Sequence, residues 1–210
     1  NPRSTWLSSV LSCMFQPTQV LTQPLRMLEQ LQKDGILMAD CKGSLMPIRQ
    51  SDLRNTSFSR SAQAYSSRRP GQPTAFLSHS HQDAQLALGL QEMLKKAGWD
   101  VYIDWQDNTM PAIPDGETAF NIKVAIVRAD WFLFLATQNS MASRWCPWEI
   151  GFADGKKAHD RIAIIPTSDN QGHFHGNEYL SLYNKIDFDK HGYGLALFDT
   201  RGNGTWVRNL

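Results

Sequence analysis

Trp145 and Glu149 stand four residues apart in the run Ser143-Arg144-Trp145-Cys146-Pro147-Trp148-Glu149-Ile150-Gly151. On a helix, that spacing stacks two side chains on one face, so an indole plane and a carboxylate project into the same space. The pairing sets a negative charge against a flat apolar wall. Pro147 suits a first helical turn, where its missing N–H is no loss, and Ser143 is placed to cap that turn. A structural alternative stands beside the chemical one: Trp145 and Trp148 as core anchors, and Glu149 as a complement to the positive end of the helix dipole.

The elements around this run decide between the two. Thr74 to Ser78 is a short apolar strand that breaks at the polar cluster His79-Ser80-His81-Gln82-Asp83. Leu86, Leu90, Met93, Leu94 and Ala97 then follow a helical period, and Gly98 supplies a stop. Trp99 to Asp104 reads as a second strand, followed by a long loop, Trp105 to Gly116, that holds Pro111 and Pro114. Thr118 to Asp130 is the next helix, with Ile122, Ala125, Ile126 and Ala129 on one stripe, and Trp131 to Ala136 is an apolar central strand. A loop through Asn139 and Ser140 leads into the helix that carries Glu149, and Arg161 to Pro166 makes a fourth strand. Lys185 to Phe188 gives a short fifth strand, and Leu195 to Phe198 with Thr205 to Val207 can close a terminal hairpin.

Alternating strands and helices imply a parallel sheet covered on both faces, with ligands gathering beyond the carboxyl ends of the strands. Three segments then converge on one rim: Ser78 to Asp83, Asp104 to Gly116 and Asn139 to Glu149. The motifs at these strand ends, Ala75-Phe76-Leu77-Ser78-His79-Ser80-His81-Gln82-Asp83, Val101-Tyr102-Ile103-Asp104, Ile113-Pro114-Asp115-Gly116 and Ser143 to Glu149, resemble a Toll/interleukin-1 receptor (TIR) domain of bacterial type, over roughly Thr74 to Phe188.

The resemblance implies an α/β fold, a flavodoxin-like doubly wound parallel sheet of about five strands. For members with the Trp-x-x-x-Glu pattern it also implies cleavage of NAD at the nicotinamide–ribose bond, giving nicotinamide and ADP-ribose or a cyclic isomer in bacterial defence signalling. Glu149 falls on the family's catalytic glutamate, Trp145 on its tryptophan and Asp104 on its second-strand aspartate. Trp105 stands where similar domains carry an acid, and Trp148 adds a second indole to the motif. Ser78, His79 and Ser80, ahead of a helix, are expected to bind the pyrophosphate; that role follows from their position and not from a motif. NAD enters as substrate, with no further cofactor and no metal expected. Self-association through the loop Trp105 to Gly116 is the family's route to activity. The competing readings are a non-catalytic TIR–TIR adaptor, which intact Trp145 and Glu149 disfavour, and a nucleotide-binding receiver without turnover.

Composition bounds these readings. The chain has 210 residues, 41% of them hydrophobic, and a formal net charge of +1, which gives no electrostatic case for nucleic acid. Lys and Arg outnumber Asp and Glu 9 to 4 before Gly71 and fall to 12 against 16 from there on, which marks a boundary. Residues 1–70 are expected to form an extension carrying one helix over Val20 to Leu37 and ending in a linker, Tyr65 to Pro73. The extension is a candidate surface for a trigger or effector protein. Residues 71–210 form the TIR-like domain, with a core over 74–188 and a tail over 189–210. Cys13, Cys41 and Cys146 are three scattered thiols that suit a reducing, cytoplasmic setting, and no run is long enough to span a membrane. Cys146 has no partner in the sequence placed to activate it, His79 and His81 read first as loop residues, and His173 and His175 are open to metal binding or to a solvated loop.

Overall fold

A strand without a polar side chain, such as Trp131–Ala136, needs cover on both faces, and the computed structural model of the chain supplies it. The structure describes residues 46–58, 71–107 and 115–210, all within one compact unit, Cys41–Leu210. In chain order the elements are β1 (Ile48–Arg49), α1 (Gln50–Phe58), β2 (Thr74–Ser78), α2 (Ala84–Lys96), β3 (Asp100–Tyr102), α3 (Gly116–Arg128) and β4 (Trp131–Ala136). Then come α4 (Gln138–Ala142), α5 (Cys146–Asp154), β5 (Ile162–Ser168), β6 (Asn184–Phe188), β7 (Leu195–Phe198) and β8 (Gly204–Trp206).

The strands lie in the order β3-β2-β4-β5-β6-β7-β8, parallel as far as β6 and antiparallel from β6 to β8. The order of the first five is that of the flavodoxin-like sheet, whose winding reverses between the first strand and the third. Here that switch point lies between β2 and β4, in register from Ala75 opposite Trp131 to Ser78 opposite Phe134. Alternation along β4 sends Trp131, Leu133 and Leu135 to one layer with α1 and α2, and Phe132, Phe134 and Ala136 to the other with α3 and α5.

The sequence groups residues 48–58 with the extension, whereas in the structure they are part of the sheet and its cover. β1 pairs in parallel with the end of β5, Ile48 opposite Thr167, and the Ile48 N–H donates to the buried Asp187 carboxylate at 3.0 Å. Leu53 is fully buried against α2. Gly89 makes that approach possible: a Cβ there would lie 1.9 Å from the Leu53 carbonyl oxygen. The short length and polar composition of 48–58 hid this from periodicity, because one buried leucine and one isoleucine carry the packing.

The tail also belongs to the sheet. β7 and β8 form the expected hairpin, and the Trp99 indole donates to the Val207 carbonyl at 2.8 Å. Boundaries differ from expectation: the third helix is Gly116–Arg128 and not Thr118 to Asp130, and the strand expected over Arg161 to Pro166 is Ile162–Ser168. The second strand ends at Tyr102, and Asp104–Gln106 is already a 3₁₀ turn. Gln138–Ala142 is a short helix where a loop was expected, because Thr137 and Ser140 close a reciprocal capping box. The Val20 to Leu37 helix, most of the linker and residues 108–114 of the long loop lie outside the described residues. Among the described residues no helix is long and apolar enough to cross a membrane.

Candidate active site

The carboxyl ends of β2 and β3 and the start of α5 meet at the switch point. Ser143 accepts the backbone N–H groups of Trp145 and Cys146, at 3.1 and 3.4 Å, and with Pro147 in the first turn it starts α5. Cys146, Ile150 and Ala153 are buried against the sheet, and Glu149 follows them inward, 4% exposed. Its Oε2 has no hydrogen-bond partner among the described residues, which for a buried carboxylate oxygen is an exposed chemical debt. Burial pushes the Glu149 carboxyl up to about 7; Asp104 adds to the shift, while the facing Ser78 hydroxyl and His81 work against it. The Ser78 hydroxyl is itself fully buried and completes no hydrogen bond of good geometry.

The two indoles of the motif part company. Trp145 is half-buried and packs on the core layer of α3 and α5. Trp148 is 36% exposed, meets Trp145 edge-on with ring centres 5.6 Å apart, and stacks with Phe152 under the Lys123 ammonium. Trp148 therefore faces outward on the side of α3, about 100° around the helix from Glu149.

At the ends of β2 and β3 successive residues divide the work. Ser78 and Asp104 act on Glu149, while their neighbours His79 and Trp105 bond to each other: the indole Nε1–H of Trp105 donates to His79 Nε2 at 2.8 Å. His79 Nδ1 lies 3.0 Å from the Leu77 carbonyl oxygen. A ring that accepts at Nε2 and meets a carbonyl at Nδ1 must be neutral with its proton on Nδ1. Burial lowers the pKa of His79, despite the opposing pull of Asp104, in keeping with that state. Both ring nitrogens of His79 are thus committed within the protein.

His81 is the more available histidine. Its ring is two-thirds exposed, its Nε2 lies 3.4 Å from Asp104 Oδ2, and that contact raises its pKa. Burial works against the charge of Asp104, but the hydrogen bond from His81, the two rings and the Trp105 backbone N–H together hold its carboxyl below the usual range. Ser80 caps the short 3₁₀ turn His81–Asp83 by accepting the Gln82 N–H.

Sequence reasoning passed over the group that joins the rim. Asp83, 5% exposed, accepts the Thr137 hydroxyl and the Asn139 amide, and so ties the end of β2 to the end of β4. The signal was present in the spacing of Asp83 at one switch-point strand end and Thr137 at the other, but only the fold shows that they meet. Cys146 is buried, and burial followed by the Glu149 charge pushes its thiol up to about 11, which removes it as a nucleophile at neutral pH. His173 and His175 both approach the Asp169 carboxylate, at 3.5 and 3.2 Å, in the loop after β5. Among the described residues no group of three or more such side chains is arranged to hold a metal ion. A cleft between β3 and α3, lined by Thr74, Asp100, Asn121 and Arg128, includes none of Ser78, Asp104 and Glu149.

Comparison with known proteins adds two findings. A family model described as the TIR domain matches residues 75–198. Over 112 residues the chain is 37% identical to a protein of Bacillus cereus (strain MSX-D12) named "Probable 3' cyclic ADP-D-ribose synthase ThsB'". That alignment covers 51% of this chain and 57% of the relative, so the chain spans little more than half of the relative's length.

Proposed function

Because the chain belongs to the TIR domain family, matched over more than half its length, we propose that it cleaves NAD at the nicotinamide–ribose bond with Glu149 as the catalytic carboxylate. The observation that carries this reading is the Glu149 side chain: buried, short of a partner at Oε2, and held near neutrality among Ser78, Asp104 and His81. A group of that kind is poised to change its bonding when a ligand arrives.

Nicotinamide is already a cationic leaving group, so the C–N bond breaks with both electrons going to the ring nitrogen and little need for an acid. What remains is a ribosyl cation, and the enzyme's task is to set negative charge beside it. Glu149, ionised, accepts hydrogen bonds from the ribose hydroxyls and faces that cation. Trp145 walls the site against water, and Trp105 offers a flat exposed surface to a base. The Ser78 hydroxyl faces the carboxylate and favours its charged form. The hydroxyl of Ser80 in the turn after β2 suits the pyrophosphate, a role that does not fall to the ring of His79. Water capturing the cation gives ADP-ribose and a proton; a hydroxyl of the same molecule gives a cyclic ADP-ribose and a proton. The name of the Bacillus relative makes the cyclic product the first to seek.

The test is to incubate the full chain with NAD and resolve nicotinamide and every ADP-ribose-containing product by chromatography. Release by the wild type and its loss in Glu149→Ala and Glu149→Gln supports the reading, and folded but silent wild type across conditions moves it to the adaptor class. The family's habit of assembling through the loop after β3 motivates a further part of the proposal, that turnover depends on self-association in a defence response. Specific activity is then expected to rise with protein concentration, and a flat dilution series would remove that part alone.

A further inference from the structure

The bond between Trp105 and His79 has no use in the chemistry above, yet it takes up Nε2 of a buried histidine whose Nδ1 is already turned to the Leu77 carbonyl. Its partner is a tryptophan with 40% of its surface exposed, an arrangement that gives solvent a large apolar ring held at a fixed angle. Its chain neighbours locate it: Ser78 precedes His79, Asp104 precedes Trp105, and both of those act on Glu149. We propose that His79 is a positioning residue that, as the Nδ1–H tautomer, pins the Trp105 indole as a fixed aromatic wall on which a flat base of the dinucleotide substrate stacks.

The inference rests on the NAD reading for the identity of the base, but the clamp itself does not. A stacking surface that is already immobile loses less side-chain entropy when a base lands on it, so the clamp acts on binding more than on bond breaking. It also makes the wall sensitive to acid. A protonated His79 carries N–H groups at both nitrogens and cannot accept the indole proton. The charged and titratable groups facing His79 are Asp104 and Asp83, which favour its protonation, and His81, with ring centres 6.3 Å apart, which opposes it. The Leu77 carbonyl accepts in either state.

The experiment uses the full chain and two readouts. The first is the indole N–H resonance of Trp105 in the nitrogen–proton spectrum, assigned by its absence from Trp105→Phe. A bonded indole gives a downfield signal that moves on acidification and in His79→Ala, and that His79→Gln, whose amide oxygen can reach the Nε2 position, largely restores. The second is steady-state cleavage of NAD. His79→Ala and Trp105→Phe each raise KM about tenfold, which is about 1.4 kcal/mol, with kcat within about threefold of wild type. The double variant is no worse than either single one, and His79→Gln recovers most of the loss. An indole resonance indifferent to His79 overturns the clamp. A responsive resonance with unchanged KM in both single variants overturns the substrate wall while leaving NAD cleavage intact. Absence of NAD cleavage by the wild type overturns the underlying reading, and the assignment of the wall to a dinucleotide base falls with it.

Discussion

Asp83 receives the Thr137 hydroxyl at Oδ2 and the Asn139 amide at Oδ1, the latter at 2.7 Å, so one buried carboxylate fastens the ends of β2 and β4 together. These are the strands between which the sheet reverses its winding, and the Glu149 rim is built on them. Removing the carboxylate leaves a buried hydroxyl and an amide without their acceptor. Asp83→Ala is expected to destabilise the protein by about 3 kcal/mol, a fall of roughly 6 to 12 °C in Tm by calorimetry, with Asp83→Asn recovering part of it. A Tm within about 2 °C of wild type would show that the two strand ends do not depend on this group.

Gly89 and Leu53 make a second test, of where the domain begins. An added methyl at position 89 meets backbone atoms of Leu53 and not the tip of a flexible side chain, so α1 must shift bodily. Gly89→Ala is expected to cost about 3 kcal/mol even though alanine favours a helix. By the same packing, a chain starting at Cys41 retains a cooperative melt and one starting at Gly71 loses much of it, because the latter uncovers the α2 surface that Leu53 buries. Equal melts for the two chains would contradict the packing.

Much of this fold was legible because strong patterns and strong punctuation coincide. The Trp131 to Ala136 strand and the α2 stripe ending at Gly98 with φ of +93° each had one reading. The convergence of Ser78, Asp104 and Glu149 followed once a parallel sheet was inferred, since Ser78 ends β2, Asp104 follows β3 and Glu149 lies in the first turn of the second helix after β4. What stayed hidden depends on pairing at a distance. Ile48 and Leu53 give no periodic signal, His79 and Trp105 are 26 residues apart, and Asp83 and Thr137 are 54 apart. Sequence reasoning placed His79 at the pyrophosphate and assigned His81 no binding role, whereas position in the fold makes His79 a committed neutral ring and His81 a partner of Asp104.

Glu149 ties stability to pH in a direction set by its raised pKa. A carboxyl whose folded pKa lies above its unfolded one binds protons more tightly when folded, so it favours the folded state in acid and loses that contribution as pH rises through about 4.5 to about 7. The full difference is up to about 3 kcal/mol. Glu149→Gln, which does not titrate, is therefore expected to gain stability relative to wild type as pH is raised from 4.5 to 7.5, in denaturant melts at matched salt. A gap that stays constant over this range, or that narrows, would mean the carboxyl is not held near neutrality.

The most direct test of Glu149 as the group that faces the ribosyl cation is nicotinamide release from NAD measured from pH 5 to 9 for the wild type, Glu149→Gln and Glu149→Ala. Ionised Glu149 is the active form, so wild-type kcat/KM is expected to rise with an apparent pKa near 7, and both variants should fall at least about 100-fold at pH 8 to 9, by a gap that narrows toward pH 5, while remaining folded. Release by Glu149→Gln at close to the wild-type rate, with the same pH dependence, would contradict the assignment.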